Sequence, residues 1–131
     1  MSAIDTLTLP DITLTRQDAD RLDSLIDAFD LFRAGPTGTF LLRELGRARI
    51  VDAPTAPSGV VAMGASVTFR DDGGRVLTVR LVYPEDATGD GETISILTPA
   101  GAALLGLSEG QSIAYGAPDG RQKRVTVLKA A

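Results

Sequence analysis

The N-terminal part of the chain places its apolar residues three and four positions apart, which is the spacing of an amphipathic helix. This stripe runs from Leu22 to Phe32 and predicts a helix over residues 16–32. Thr15 is followed three positions later by Asp18, a pattern typical of the capping box that begins a helix. The pattern therefore predicts both the face that packs and the residue at which the helix begins.

A second amphipathic stretch follows a short break. The segment 34–38 is rich in Gly and Pro and predicts a loop, after which Thr39 is a candidate N-cap for a helix over residues 40–49. On this helix Glu44 falls on the polar side. Two such helices joined by a short loop predict an antiparallel hairpin. Its first helix, with roughly 17 residues, would be about 25 Å long.

The pattern changes again at residues 53–59, which contain two prolines and predict a semi-rigid linker. The linker would separate a hairpin domain at 1–52 from a second domain at 60–131, and we expect the two not to share one core. In the second domain apolar and polar residues alternate, as in strands with one buried face. We expect an antiparallel sheet of about five strands. Six stretches are candidates for these strands, the first of them short, and they lie at 60–63, 66–70, 75–83, 94–97, 112–115 and 124–128.

Residues 92–110 combine a strand, a turn and one short helix. The hydroxyl of Thr98 can cap this helix, and Pro99 suits its first position because proline has no N–H to leave unpaired. Gly106 tolerates the left-handed conformation that ends a helix. A helix of fewer than two turns is not stable alone, so we expect the sheet to hold it. The predicted fold class is therefore α+β.

Composition and charge limit the kinds of catalytic and binding sites that the chain can form. The chain has neither His nor Cys, which removes the histidine-dependent nucleophile systems and most zinc sites. Its net charge of −4 argues against a strongly basic nucleic-acid-binding surface. We interpret the basic residues Arg121, Lys123 and Arg124 as an exposed strand edge that discourages pairing. No apolar run approaches the roughly 20 residues that cross a bilayer, so we expect a cytoplasmic protein without a membrane partner.

Carboxylates are the remaining candidates for catalysis or metal binding. Asp71 and Asp72 stand beside two glycines and are interpreted as a solvated turn. The acidic loop 85–92 lacks the ligand order of a calcium loop. No phosphate-binding glycine motif follows a predicted strand. We therefore expect no catalytic residue, no metal site and no cofactor.

Residues 94–110 contain a characteristic series at fixed spacing: Ile94, Ser95, Thr98, Pro99, Gly101, Ala103, Leu104, Leu105 and Gly106, followed by Glu109 and Gly110. This series resembles the C-terminal domain of the Gre transcript-cleavage factors, and the resemblance implies a fold like that of FK506-binding proteins. Residues 41–48, 60–63 and 67–69 are similar to the Rnk-type members of that group, which are Gre-like proteins with a shortened coiled coil.

The resemblance implies a factor that binds RNA polymerase at the rim of the secondary channel. We expect a monomer and, because of the net charge, no strong direct binding to nucleic acid. The contact residues that it implies are Asp90, Ser95, Thr98, Pro99, Ala100 and Gly101. Cleavage factors carry acidic residues at the coiled-coil tip, whereas the predicted tip here contains Arg33, Gly35, Pro36 and Thr37, with no carboxylate. We therefore expect a binder that does not stimulate transcript cleavage and is not an enzyme.

Two alternatives remain open at this point. The first is a protein-interaction module with a different partner. The second is a prolyl isomerase, because the implied fold is shared with those enzymes. Their pocket is lined with aromatic residues, and the C-terminal half offers only Phe69, Tyr83 and Tyr115.

Overall fold

A computed structural model describes residues 9–29 and 34–131 of the chain. In chain order the elements are β1 Thr13–Thr15, α1 Arg16–Ala28, α2 Pro36–Arg47, β2 Arg49–Val51, β3 Ser66–Arg70, β4 Val76–Val82, a 3₁₀ turn Pro84–Asp86, β5 Thr93–Ser95, α3 Pro99–Leu104, β6 Ser112–Gly116 and β7 Gln122–Ala130. The predicted α+β class is confirmed. Over the described ranges, no helix is both long and apolar enough to span a membrane.

Helix α1 begins where the sequence predicts. The Thr15 hydroxyl accepts a hydrogen bond from the backbone N–H of Asp18 at 3.1 Å, which confirms the predicted cap. The helix ends at Ala28, earlier than predicted, because Phe29 has left helical geometry with a φ of −126° and is 48% exposed. The predicted end at Phe32 lies outside the described residues.

Helix α2 differs from the prediction at both ends. It begins at Pro36, with Gly35 as the preceding cap residue, so the predicted loop at 34–38 is largely helical and Thr39 is not the cap. The reason is that proline is disruptive inside a helix but well suited to its first turn. The helix ends at Arg47, and the chain then enters the strand β2 instead of continuing to residue 49.

The five-stranded sheet has the order β5-β4-β3-β7-β6 and is mixed, so the prediction of an antiparallel sheet is wrong. Strand β5 runs parallel to β4, with Arg80 opposite Thr93, whereas the other pairs are antiparallel. The 3₁₀ turn and the loop after it carry the chain back, so β5 starts at the same end as β4. The strand expected at 60–63 is reduced to one bridge between Val60 and Ser108.

A second, unpredicted sheet joins β1 and β2 in parallel. It connects to the C-terminal half, because the Thr13 N–H donates to the carbonyl of Gly106 at 3.1 Å. The expectation of two unshared cores is wrong, since one buried cluster contains residues from the helices and from the sheet. Its helical members include Leu22, Ile26 and Leu41, and its sheet members include Val67, Leu81 and Val127. The predicted domain boundary at 53–59 stays a prediction.

Candidate functional site

The predicted contact residues lie around the turn between β5 and α3, and the turn is held by its own polar groups. The Thr98 hydroxyl donates to the carbonyl of Ser95 at 2.7 Å and accepts from the N–H of Gly101 at 3.1 Å. The Ser95 hydroxyl accepts from the N–H of Leu97 at 3.1 Å. Thr98 therefore caps α3 as predicted, and hydrogen bonds within the turn hold its conformation.

Two glycines in this region are required by close approaches. A Cβ added to Gly101 would lie 2.2 Å from the carbonyl oxygen of Ser95. Gly106 has a φ of +79°, and a Cβ there would lie 2.9 Å from the Cβ of Ile12. Gly101 is buried, so within the predicted contact set its observed role is to let α3 approach β5.

Proline 99 lies at the centre of an apolar surface that we call the Pro99 groove. It consists of two adjoining cavities of about 240 and 70 Å³, both lined by Pro99 and Tyr115. The larger is also lined by Ile94, Thr98, Ala100, Ala117, Pro118 and Lys123, and the smaller by Pro36, Thr37, Phe40 and Gly116. Burial, with the nearby charges of Asp71 and Asp72, raises the pKa of the Tyr115 hydroxyl above its usual value.

The groove joins two predicted regions that are about sixty residues apart in the sequence. Pro36 and Thr37, which were predicted at the hairpin tip, lie beside Pro99 because α2 packs against α3 and β6. Gly35 immediately precedes α2 as its cap residue. Arg33, the fourth predicted tip residue, lies outside the described residues.

Asp90 occupies a separate loop. Its carboxylate accepts hydrogen bonds from the Thr88 hydroxyl and from the backbone N–H of Glu92. These two bonds stabilise the charged form and lower the pKa of Asp90 below its usual range. The loop thus presents an exposed negative charge, and the bonds described for it stay within the loop.

A cleft of about 720 Å³ lies between α1 and the start of the segment that follows β4, and sequence reasoning missed it. Asp18 accepts hydrogen bonds at 3.3 Å from both the Met63 N–H and the Tyr83 hydroxyl. The Arg21 guanidinium lies 3.6 Å from the centre of the Tyr83 ring and pairs with Glu85 at 2.9 Å. Burial and the nearby Asp18 charge raise the pKa of Tyr83. These polar contacts attach α1 to the sheet.

A buried ion-pair group on α2 was also missed. Glu44, predicted on the polar face, is only 1% exposed. Arg47 binds both of its oxygens, at 2.7 and 2.8 Å, and Arg43 adds a bond at 3.0 Å. Arg47 also donates to the carbonyl of Pro10 at 2.6 Å. The sequence contained one indication of this ion-pair group, since Arg43 and Arg47 both lie within three residues of Glu44.

The basic residues near the C-terminus lie at the start of β7 and in the turn before it. Lys123 and Arg124 pair with β6 on one side, whereas the pairing of β7 with β3 reaches only as far as Thr126, so the interpretation of this segment as an exposed edge stays a prediction. The strand at this edge of the sheet is β6, and its residue Ala114 lies directly opposite Arg124 of β7.

Comparison with known proteins adds five findings. The family profile "Transcription elongation factor, GreA/GreB, C-term" matches residues 56–131, and the profile "Rnk N-terminus" matches residues 10–51. The chain is 36% identical over 121 residues to the regulator of nucleoside diphosphate kinase of Escherichia coli K12, covering 92% of this chain and 88% of that protein.

It is also 39% identical over 92 residues to the transcription elongation factor GreA of Streptomyces coelicolor, covering 69% of this chain and 55% of that protein. A solved structure of a prokaryotic GreA/GreB transcription elongation factor from Nitrosomonas europaea aligns with a TM-score of 0.72 at 37% identity. The alignment covers 93% of this chain and 98% of that one.

Proposed function

The chain belongs to the GreA/GreB transcription factor family, with an Rnk-type N-terminus, and from this premise we propose that it regulates transcription by binding RNA polymerase near the rim of the secondary channel. In this proposal it acts in the cytoplasm as a monomer, without a cofactor and without catalysing a reaction. The observation that carries the proposal is the Pro99 groove, which combines segments from both family-matching regions.

The groove has the properties of a protein contact. Over 9–29 and 34–131, its lining is apolar except for Thr37, Thr98 and Lys123, and it includes the aromatic rings of Phe40 and Tyr115. Aromatic residues are enriched at the centres of protein interfaces. Because the Thr98 turn is held by its own hydrogen bonds, little conformational freedom would be lost on binding.

Asp90 would act at the periphery of this contact. Its lowered pKa keeps the carboxylate charged, and its exposure leaves the charge available to a basic partner group. Charges at the rim of an interface mainly accelerate association and add salt dependence. We therefore expect the effect of Asp90→Asn to shrink at high ionic strength.

The test is a titration of fluorescently labelled protein with core RNA polymerase. Pro99→Ala combined with Asp90→Asn should weaken binding about tenfold, while circular dichroism reports an unchanged fold. The matched control combines Pro84→Ala with Asp119→Asn, because Pro84 also begins a short helix and Asp119 also bonds the N–H two residues onward. Equal affinity of the two double variants would remove the groove from the proposal. Absence of binding by the wild type would favour a different partner.

We further propose that binding does not stimulate transcript cleavage. Helix α1 has 13 residues and is therefore about 20 Å long, which is short for a reach into a channel. Gly35, Pro36 and Thr37 provide no carboxylate for a second metal ion, which such cleavage would use. The assay incubates backtracked polymerase with this protein alone and with a GreA factor as the positive control. Short 3′ RNA fragments above the no-factor background would refute this proposal, whereas loss of GreA-stimulated cleavage on addition of the protein would support it.

A further inference from the structure

The edge strand β6 presents unpaired backbone groups on its outer side. The Ala117 N–H donates to the Arg121 carbonyl at 2.8 Å, which sets the alternation of bonds between β6 and β7. By that alternation the N–H and C=O groups of Ser112, Ala114 and Gly116 point away from β7. Within 9–29 and 34–131, none of these three residues has a backbone hydrogen bond on that side. An edge of this kind can accept an additional strand.

A cationic groove of about 530 Å³ lies along this edge. Ser112, Ile113 and Ala114 form part of its wall, and the cations Arg43, Lys123 and Arg124 reach it from α2 and β7. Among the described residues, Asp72 is the one acidic side chain in its lining. Arg43 is paired with Glu44, so Lys123 and Arg124 supply the unpaired positive charge of the groove, which contrasts with the net charge of −4 for the whole chain.

Arg124 is well placed to act at the edge. It lies directly across from Ala114, whose methyl group is too small to cover it, and it is exposed. In the part of the chain that the structure describes, neither Arg124 nor Lys123 forms an ion pair. Lys123 and Arg124 are consecutive on β7 and therefore point to opposite faces of the sheet. A strand added beside β6 would meet a cation on each face.

We propose that the β6 edge binds an extended acidic segment of a partner protein by strand addition. The edge spans five residues, or about 17 Å, which sets the length of the segment. A peptide fits better than a nucleic acid, because the edge alternates donors and acceptors as a peptide backbone does, whereas a phosphate backbone offers only acceptors. This surface adjoins the Pro99 groove. The cationic groove shares Lys123 with it, and the end of β6 contributes Tyr115 and Gly116 to its lining.

The probe is a fluorescein-labelled eight-residue peptide that alternates glutamate and valine, followed by fluorescence anisotropy. Ala114→Pro removes one outward N–H without breaking the β6–β7 ladder, and proline is tolerated at such edge positions. We expect this variant to lose at least tenfold in affinity, whereas Ala114→Ser, which keeps the N–H, should bind like the wild type. Arg124→Gln should weaken binding about two- to fivefold and reduce its salt dependence.

Several results would overturn this inference. One is failure of the wild type to bind the peptide at millimolar concentration, and another is equal binding by Ala114→Pro and Ala114→Ser. If an oligothymidine binds more tightly than the acidic peptide, and Ala114→Pro leaves that binding unchanged, the groove is assigned to nucleic acid. Dimers seen by sedimentation and abolished by Ala114→Pro would assign the edge to a second copy. If Ala114→Pro does not fold, Arg124→Glu provides the test. This variant must no longer bind the acidic peptide and must bind a peptide in which lysine replaces each glutamate.

Discussion

The buried carboxylate of Glu44 provides the sharpest test of the packing between α2 and the N-terminal segment. Glu44→Gln preserves the size of the side chain but removes its negative charge from beside two arginines. The amide oxygen of the glutamine can still accept a hydrogen bond from one of the two Arg47 N–H groups that now bond Glu44. Its NH₂ group then faces the other Arg47 N–H group, and two donors cannot bond each other. Arg47 would also be held less firmly against the carbonyl of Pro10.

Removing one partner of a fully buried ion pair costs about 3–5 kcal/mol. Here the arginines can regain some hydration, since the side chains of Arg43 and Arg47 are 47% and 23% exposed. We therefore expect a loss of about 2–4 kcal/mol in the free energy of unfolding. With an unfolding entropy of about 2.1 cal/mol/K per residue, 1 kcal/mol corresponds to about 3.6 °C in a chain of this length, so Tm should fall by about 7–14 °C.

The assay is urea unfolding and thermal melting followed by circular dichroism. Glu85→Gln is the matched control, because Glu85 forms an exposed ion pair with Arg21 and should cost less than about 1 kcal/mol. Arg47→Lys should fall between the two, since lysine retains the charge but not the two-pronged geometry. A Glu44→Gln variant within 0.5 kcal/mol of the wild type, on the order of an exposed pair, would refute the reasoning.

Three further predictions concern other parts of the fold. Gly101→Ala should unfold or severely destabilise the protein in the same urea assay, because its Cβ would overlap the Ser95 carbonyl, whereas Gly46→Ala, with open space around it on α2, should stabilise by about 0.5–1 kcal/mol. The raised pKa of Tyr83 means that folding favours its neutral form, so its contribution to stability is complete below the unfolded pKa of about 10 and is lost as the pH rises above that value. Tyr83→Phe should make the fall of stability with pH less steep. An unchanged slope between pH 10 and 11.5 in this variant would contradict the prediction. Limited proteolysis should cut within 53–59, and the two fragments should stay together on size exclusion because they share one core; separation of the fragments would contradict the shared core.

The sequence by itself determined the features that depend on residues within a few positions of one another. Thr15 and Thr98 cap their helices as predicted, since each hydroxyl reaches an N–H only three residues away. The period-two pattern located β3, β4, β6 and β7 to within a few residues. For the same reason the Thr98 turn, which is built from local bonds, was the part of the candidate site that sequence reasoning found.

The tertiary structure decided the features that depend on partners distant in the chain. The direction of β5 follows from the path of the loop before it, and strand periodicity carries no information on that path. Burial of Glu44 depends on where the Pro10 segment lies, so its place on a helical wheel misled the prediction. The meeting of Pro36 and Thr37 with Pro99 depends on α2 packing against α3 and β6. Side-chain patterns specify which face of an element is buried, but the element that covers that face is selected by packing of the whole chain.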